Sequence, residues 1–323
     1  MGNSKHHLPL EPPIPPLTLS SPNLIAVLTQ MIWWDELITM NLPSPHNRAS
    51  HQLGPPFHTV LDKSGRNLHI LAYTGDTTIP DSHCADAIIH ALTCLIQESH
   101  ESSTLKSISI PFGPSFVRSS VHSNLLSALP PLGFSQGKPT TISALATRAY
   151  QKKQRQLPSS LRLREVTTPE ELSHKIAIES GVFEYPSSYI NTLGLALEYM
   201  TYGTAQARDH HYLAWFTPDS SADEGLKTEL PVAYFTLRVG RGVAYVQGAG
   251  VLEPWRRHGI TRAMLDHAID VAVQLGYEVI GNSAWTDDAA AAWRAMGFED
   301  VGEFTEWKWE NNMTAETGAM GSQ

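Results

Sequence analysis

The chain has 323 residues, 41% of them hydrophobic and 17% charged, with a formal net charge of −9. That length supports two domains of ordinary size, each able to bury its own core, in a protein of soluble globular composition. The acidic balance argues against broad nucleic-acid binding, which needs a basic face, and no apolar stretch is long enough to span a bilayer.

Residues 1–22 carry the prolines Pro12, Pro13, Pro15 and Pro16 and read as a disordered or extended tail. Met1 to Leu10 is polar and followed by prolines, so no secretory signal is expected. His6 stands where a myristoylation pattern needs Ser or Thr. A cytoplasmic setting, or a nuclear one, follows as the expectation.

Residues 23–150 form a first α/β domain. Leu24 to Met40 is an apolar helix candidate, and Phe57–Leu61 with Leu68–Tyr73 reads as a hairpin around Lys63-Ser64-Gly65. A helix (Ser82–Glu98), a strand (Leu105–Ile110), a helix (Phe116–Leu129) and a strand (Thr140–Ala146) follow. The cysteines Cys84 and Cys94 are expected as two buried small hydrophobes on one helix, neither a disulfide nor a metal site. The 15 histidines are scattered without the spacing of a zinc motif, so no metal is expected.

Residues 151–160, charged and then Pro/Ser-rich, are the best domain boundary. Leu161–Val166 opens the second domain as a strand. Thr168-Pro169-Glu170-Glu171 is then a capping box with Pro at the first helical position. Gly181 to Pro186 reads as a loop, in which Glu184 or Tyr185 could bind an amine or act as a base; the bland alternative is a solvated loop. Glu198, Tyr199 and Tyr202 would share one face of the following helix. His210 or His211 begins the next strand, and one of the two could face a cleft.

Tyr245 to Leu252 is a strand that passes through Glu253-Pro254-Trp255-Arg256-Arg257-His258-Gly259 into an amphipathic helix. Apolar residues recur there at Ile260, Ala263, Met264, Ala268, Val271, Ala272 and Leu275. A helix N-terminus has unpaired N–H groups and a positive dipole end, which suits phosphate. Gly259 removes a Cβ where a ligand would approach the backbone. Arg256, Arg257, His258 and Arg262 add three fixed positive charges and one titratable group. Gly276 to Ile280 is a further strand, Thr286-Asp287-Asp288 a helix start, and Ala289–Met296 a short helix stopped by Gly297-Phe298. A last strand runs from Val301 to Trp309, and residues 311–323 are a polar tail. Trp255 and Trp285 read as core or rim packing.

At these residues the chain resembles the GNAT acyltransferase superfamily. Arg256-Arg257-His258-Gly259-Ile260-Thr261 matches the first two fixed positions of its pyrophosphate loop, Gln/Arg-x-x-Gly-x-Gly/Ala, and departs at Thr261. Residues 161–310 contain the family's β-α-α-β-β-β-α-β-α-β order. The resemblance implies an α/β (α+β) fold, with a central mixed, mostly antiparallel sheet flanked by helices. The smaller domain before it has the order hairpin, helix, strand, helix, Gly-Phe, strand, and would be a degenerate copy of half that fold or an unrelated α/β domain. Its Tyr73 to Asp81 segment lacks arginine and carries Asp76 and Asp81, so it would have lost any coenzyme site.

What the resemblance implies in function is acyl-CoA-dependent N-acyl transfer, most simply acetyl, to an amine of a small molecule or a protein, without a metal. Val251 and Leu252 would hold the pantetheine between splayed strands, Arg256, Arg257, His258, Gly259, Ile260, Thr261 and Arg262 the pyrophosphate. Trp293 stands where the family usually has the Tyr that protonates the leaving thiolate, and an indole N–H does not transfer its proton. On simple alternation, the cleft-facing positions of the Tyr245–Leu252 strand are Tyr245, Gln247 and Ala249, none a carboxylate. Tyr245 takes the position of the family's Glu base, so Tyr245, Gln247 and Glu184 are the catalytic candidates, working through water. Two alternatives remain: a fold turned to other thioester chemistry, and a non-catalytic acyl-CoA-binding or scaffolding protein.

Overall fold

The computed structural model describes residues 16–31, 57–61, 66–73, 80–102, 105–113, 116, 119–150, 160–185, 202–204, 207–217 and 229–311. The chain divides into two compact units, one of Met1–Leu24 with Ser143–Val301, the other of Ile25–Ile142 with Gly302–Gln323. The cuts fall inside two strands, at 142/143 and 301/302, while nearly all of the expected linker at 151–160 lies outside the described residues. No described helix is long and apolar enough to cross a membrane.

The unit of residues 143–301 has the strand order β4-β9-β8-β7-β6-β5. Its members are the end of β4 (Ser135–Ala146), β5 (Leu161–Glu165), β6 (Asp209–Phe216), β7 (Leu230–Gly240), β8 (Val243–Val251) and β9 (Val279–Ala284). β5 to β8 pair antiparallel in succession, and β8 pairs parallel with β9. Helix α4 (Pro169–Phe183) follows β5. Thr168 accepts from the Glu171 N–H, and the Glu171 carboxylate reaches back, so the capping box expected from sequence is formed. Gly181, Val182 and Phe183, expected in a loop, are the last turn of this helix, which ends at Glu184 in the left-handed region (φ 53°).

One sheet face is apolar. Phe235, Leu237, Ala244, Val246 and Val251 pack there against Ala263, Met264, Leu265, Ala268 and Ala272 of α5 (Ile260–Gln274). The opposite face carries α4, and β8 accommodates it with glycines. A Cβ on Gly250 would come within 2.9 Å of Val182 and 3.0 Å of Tyr234, and one on Gly248 within 3.1 Å of the Tyr234 hydroxyl. Residues 16–22 are more than a tail: Leu17 donates to the Gly242 carbonyl at 2.8 Å.

The other unit has the order β1-β2-β3-β10-β4. It begins at Ile25, in the helix of residues 24–31 labelled α1; the rest of the helix expected to Met40 lies outside the described residues. β1 (Phe57–Leu61) and β2 (Asn67–Tyr73) form the expected hairpin, with a bulge at His58/Thr59. α2 (Asp81–Ser102) leads to β3 (Ser107–Phe112), which pairs parallel with β2 and antiparallel with β10 (Glu299–Glu310). α3 (Ser119–Ala128) and a 3-10 turn at Pro130–Leu132 precede β4. β4 begins at Ser135, five residues before the expected start, because Gly137 and Pro139 read as breakers in isolation. Cys84 is buried as expected, but Cys94 is exposed. Asn311 is buried and donates to the carbonyls of Ser99 and Leu105, so it belongs to the fold and not to a tail.

Each unit contains an antiparallel hairpin, a helix, a strand parallel to the second hairpin strand, a shorter helix and a Gly-Phe stop. The two stops close alike. Gly133 and Gly297 are left-handed, and the Phe134 and Phe298 N–H groups each donate, at 3.2 Å, to a carbonyl five residues back. The parallel pairing also has three rungs in both places.

Candidate active site

The site is built where two parallel strands separate. β8 and β9 pair at Ala244↔Ile280, Tyr245↔Gly281 and Val246↔Asn282, and no rung follows, although β8 continues to Val251 and β9 to Ala284. The separation coincides with a bulge. Thr236 pairs with Gly248 and Leu237 with Val246, so Gln247 is an extra residue without a counterpart on β7. An inserted residue bends its strand and raises the local twist, which turns the end of β8 away from β9.

The bulge corrects the alternation on which the cleft-facing set rested. Beyond an extra residue the side chains change faces. Ala249 therefore points with Val246 to the α5 side, while Tyr245 shares its face with Gly248 and Gly250. Tyr245, Gln247 and Ala249 do not form one row.

After β8 the chain makes a 3-10 turn at Glu253–Trp255 and passes Arg257 (φ 68°) and Gly259 (φ 79°), both left-handed, into α5. The first intrahelical bond runs from the Ala263 N–H to the Gly259 carbonyl, leaving the N–H groups of Ile260, Thr261 and Arg262 ahead of the helical ladder. A Cβ on Gly259 would meet nothing within 4 Å, so this helix end is open on that side. Arg256, Arg257 and His258 are exposed around it. Three of the four basic side chains are tied down: Arg256 Nε donates to the Val251 carbonyl at 3.1 Å, and His258 Nδ1 to the Arg256 carbonyl at 2.9 Å. Arg262 reaches the Tyr150 hydroxyl at 3.3 Å and the Ala295 carbonyl at 3.1 Å. Tyr150 in turn donates to Asp266. The Ile260 and Val251 side chains are buried in the core, so any contact they make with a ligand is through the backbone.

Beside the separating strands lies a narrow crevice of about 10 Å³, the size of one water, lined by Phe235, Val246, Ala249, Thr261, Met264, Leu265, Ala268 and Trp293. Trp293, on α6 (Asp287–Ala295), stands edge-on to Phe298 at 5.0 Å. Thr286 caps that helix by accepting from the Ala289 N–H at 3.2 Å. The structure thus brings Thr261 and Trp293, far apart in sequence, to the same crevice.

The acid–base candidates are placed differently. Tyr245 is 1% exposed, and its hydroxyl lies 2.6 Å from Ser283 Oγ on β9. Ser283 was not anticipated, because only the β8–β9 pairing brings it to Tyr245. Gln247 is half-exposed at the bulge. Glu184 is exposed, two residues past Val182, which packs near Gly250. Glu198 and Tyr199 lie outside the described residues, and Tyr202 is buried. Trp285 is 57% exposed, while Trp255 packs on Phe216 with centroids 4.3 Å apart.

His210 and His211 are both buried. His210 Nδ1 is 2.9 Å from Glu165, and His211 Nδ1 is 2.9 Å from Thr236 Oγ1. Burial, then the positive charge of Lys175, lowers the His211 pKa to about 3, so the ring is neutral. Burial alone would raise the pKa of the neighbouring Asp209. Arg238, with Nε at 2.7 Å and Nη2 at 2.8 Å from its carboxylate, holds it instead at about 2. These groups form a satisfied ion pair and a neutral ring beneath α4. Among the described residues no cluster of His, Cys, Asp and Glu could hold a metal ion.

Residues 187–298 match the family model described as the acetyltransferase (GNAT) family. No curated protein matches the chain in sequence. Among solved structures, a GCN5-related N-acetyltransferase from Kribbella flavida is similar with a TM-score of 0.56 and 14% identity, covering 92% of this chain and 99% of that one. A GCN5-related N-acetyltransferase from Sphaerobacter thermophilus has a TM-score of 0.56 and 14% identity over 78% of this chain and 75% of its own. A tandem GNAT protein from the clavulanic acid biosynthesis pathway has a TM-score of 0.55 and 12% identity, covering 79% and 78%. At these identities the likeness is one of fold. The chain thus has a mixed α/β fold similar to that of these structures, and the match to the family model lies within residues 187–298.

Proposed function

We propose that the unit of residues 143–301 binds acyl-CoA and transfers its acyl group, most simply acetyl, to an amine of a small molecule or protein. One observation carries the reading: β8 and β9 stop pairing after Val246 and Asn282, and β8 leads directly into an open helix N-terminus at Gly259. Backbone groups of β8 beyond Val246 that point away from β7 have no rung on β9 and, apart from the Val251 carbonyl that accepts from Arg256, suit an amide-bearing thioester arm. The N–H groups at Ile260, Thr261 and Arg262, with Arg256, Arg257 and His258 around them, suit a pyrophosphate. Trp293 and Thr261 wall the crevice between these two parts.

In the reaction the amine nitrogen bonds to the thioester carbonyl carbon and the C–S bond breaks with its electron pair on sulfur, water takes the proton lost by the amine, and the thiolate takes a proton from water as CoA leaves. Positioning of the two reactants supplies much of the acceleration in such a step. Proton removal is assigned to water held near Gln247 and the Tyr245–Ser283 hydroxyl pair, or to Glu184. The burial of Tyr245 favours a second reading, in which the unit binds a thioester without turnover. Release of free CoA thiol from acetyl-CoA across a panel of amines separates the two: binding without release with every amine would sink the transferase reading.

The unit of residues 25–142 and 302–323 reads best as a degenerate copy without a coenzyme site. The repeated element order, the two matching Gly-Phe stops and the likeness to a tandem GNAT protein support this. Asp81 opens α2 where the other unit has Ile260, and the preceding residues 74–79 lie outside the described set.

A further inference from the structure

Cys94 on α2 is exposed, while Cys84, the other cysteine of the chain, is buried. Free cysteine is among the most buried of residue types, so an exposed one calls for a chemical reason. Its neighbour supplies one. His90, one helical turn earlier on the same exposed face, brings its Nε2 to 3.8 Å from the Cys94 sulfur. Zinc holds a histidine nitrogen at about 2.0–2.1 Å and a thiolate at about 2.3 Å, so two such ligands at the tetrahedral angle stand about 3.6 Å apart. The observed 3.8 Å meets this with the angle at the metal opened to about 120°. The pair needs almost no rearrangement to hold one ion. The surroundings favour a cation as well: the 22 residues of α2 include Asp81, Asp86, Glu98 and Glu101 and neither Lys nor Arg. No three His, Cys, Asp or Glu side chains among the described residues of one chain are placed to share an ion. One chain therefore offers two of the four ligands of a closed zinc site.

We propose that His90 and Cys94 form half of a zinc site, completed by the same two residues of a second copy of this chain. The centre is a tetrahedral pair of cysteines and pair of histidines on a two-fold axis, which closes the assembly at two chains. As each Cys94 sulfur bonds to the metal, its thiol proton passes to water, and the two thiolates balance the charge of the ion. Without the ion two acidic helix faces repel each other; with it they are bridged. Association of the two copies is thus conditional on the metal. This site lies in the unit of residues 25–142 and 302–323 and stands or falls independently of the acyl-CoA reading.

The test adds zinc to the reduced, metal-free full chain and follows its mass by sedimentation equilibrium. The mass should double, saturating at one ion per two chains, and a chelator should reverse the change. Cobalt(II) in place of zinc should give the intense visible bands of a tetrahedral site together with a thiolate-to-metal absorption. Cys94→Ser and His90→Ala should each lose the doubling and weaken that absorption. Both side chains are exposed, so the metal-free variants should melt with the wild type. Should either melt lower, Cys94→Ala and His90→Gln serve for the same comparison. An unchanged mass with zinc would overturn the assignment. So would a doubling that survives Cys94→Ser, or saturation at one ion per chain without doubling.

Discussion

The Tyr245 hydroxyl on β8 lies 2.6 Å from Ser283 Oγ on β9, one residue past the last rung that joins the two strands. The pair spans the point of separation, so each hydroxyl is held by a strand the other does not belong to. A hydroxyl as buried as that of Tyr245 needs a partner, and here the partner comes from the other strand.

If protons leave through this hydroxyl pair, no single member is indispensable. Tyr245→Phe and Ser283→Ala should each lower kcat by less than the roughly 10²–10⁴-fold attributed to a positioned acid or base. Together they should be less than additive, because both remove the same path. Thiol-release rates for the two single variants and the double variant test this. Loss of all activity in Glu184→Gln, with CoA affinity intact, would move the base to the end of α4.

Gly259 separates ligand effects from folding effects. Its φ of 79° is left-handed, yet a Cβ there would meet nothing within 4 Å. Gly259→Ala should thus cost about 1 kcal/mol of stability from backbone strain alone. Gly259→Asp should cost no more, since Asp tolerates the left-handed region and its charge suits a helix N-terminus. The same charge would repel pyrophosphate, so CoA binding should disappear while the melting temperature stays near that of the alanine variant. Undiminished CoA affinity in Gly259→Asp would place the coenzyme elsewhere.

Stability should fall with acid in two overlapping ranges. His211 has a pKa of about 3 in the folded chain, against about 6.5 when unfolded. Between those values the unfolded state binds a proton that the folded state refuses, so stability drops as pH falls through them. Asp209, at about 2 when folded and about 3.9 when unfolded, extends the loss to lower pH in the same direction. Urea midpoints from pH 7 to pH 4 should therefore decline, and His211→Gln should flatten the decline. An identical slope in that variant would mean the ring is not held neutral.

One CoA should bind per chain. The acid that opens α2, Asp81, stands where the other unit begins its helix with uncharged Ile260 after a basic loop. Calorimetric stoichiometry near one supports this, and a second stoichiometric site retained in Gly259→Asp would contradict it.

Several features were legible in the sequence because they depend on neighbours a few residues apart. The Thr168 capping box, the strand–loop–helix passage through Gly259, and the Gly133-Phe134 and Gly297-Phe298 stops are each set by local backbone geometry and short hydrogen bonds. The hairpin of β1 and β2 and the order of helices and strands were readable from hydrophobic period for the same reason.

What escaped depends on partners distant in sequence. The bulge at Gln247 exists only in the register of β8 against β7, and it moves Ala249 to the other face. Tyr245 meets Ser283, Asn282 comes to lie opposite Val246, and Trp293 joins Thr261 only because β9 and α6 return beside β8 and α5. Likewise β4 runs through Gly137 and Pro139 because flanking strands overrule their local preference. Local chemistry determined where the Gly259 turn and the helix N-terminus after it lie. The separation of the strands, and which side chains line it, were decided by pairing and packing across the sheet, which no run of neighbouring residues encodes.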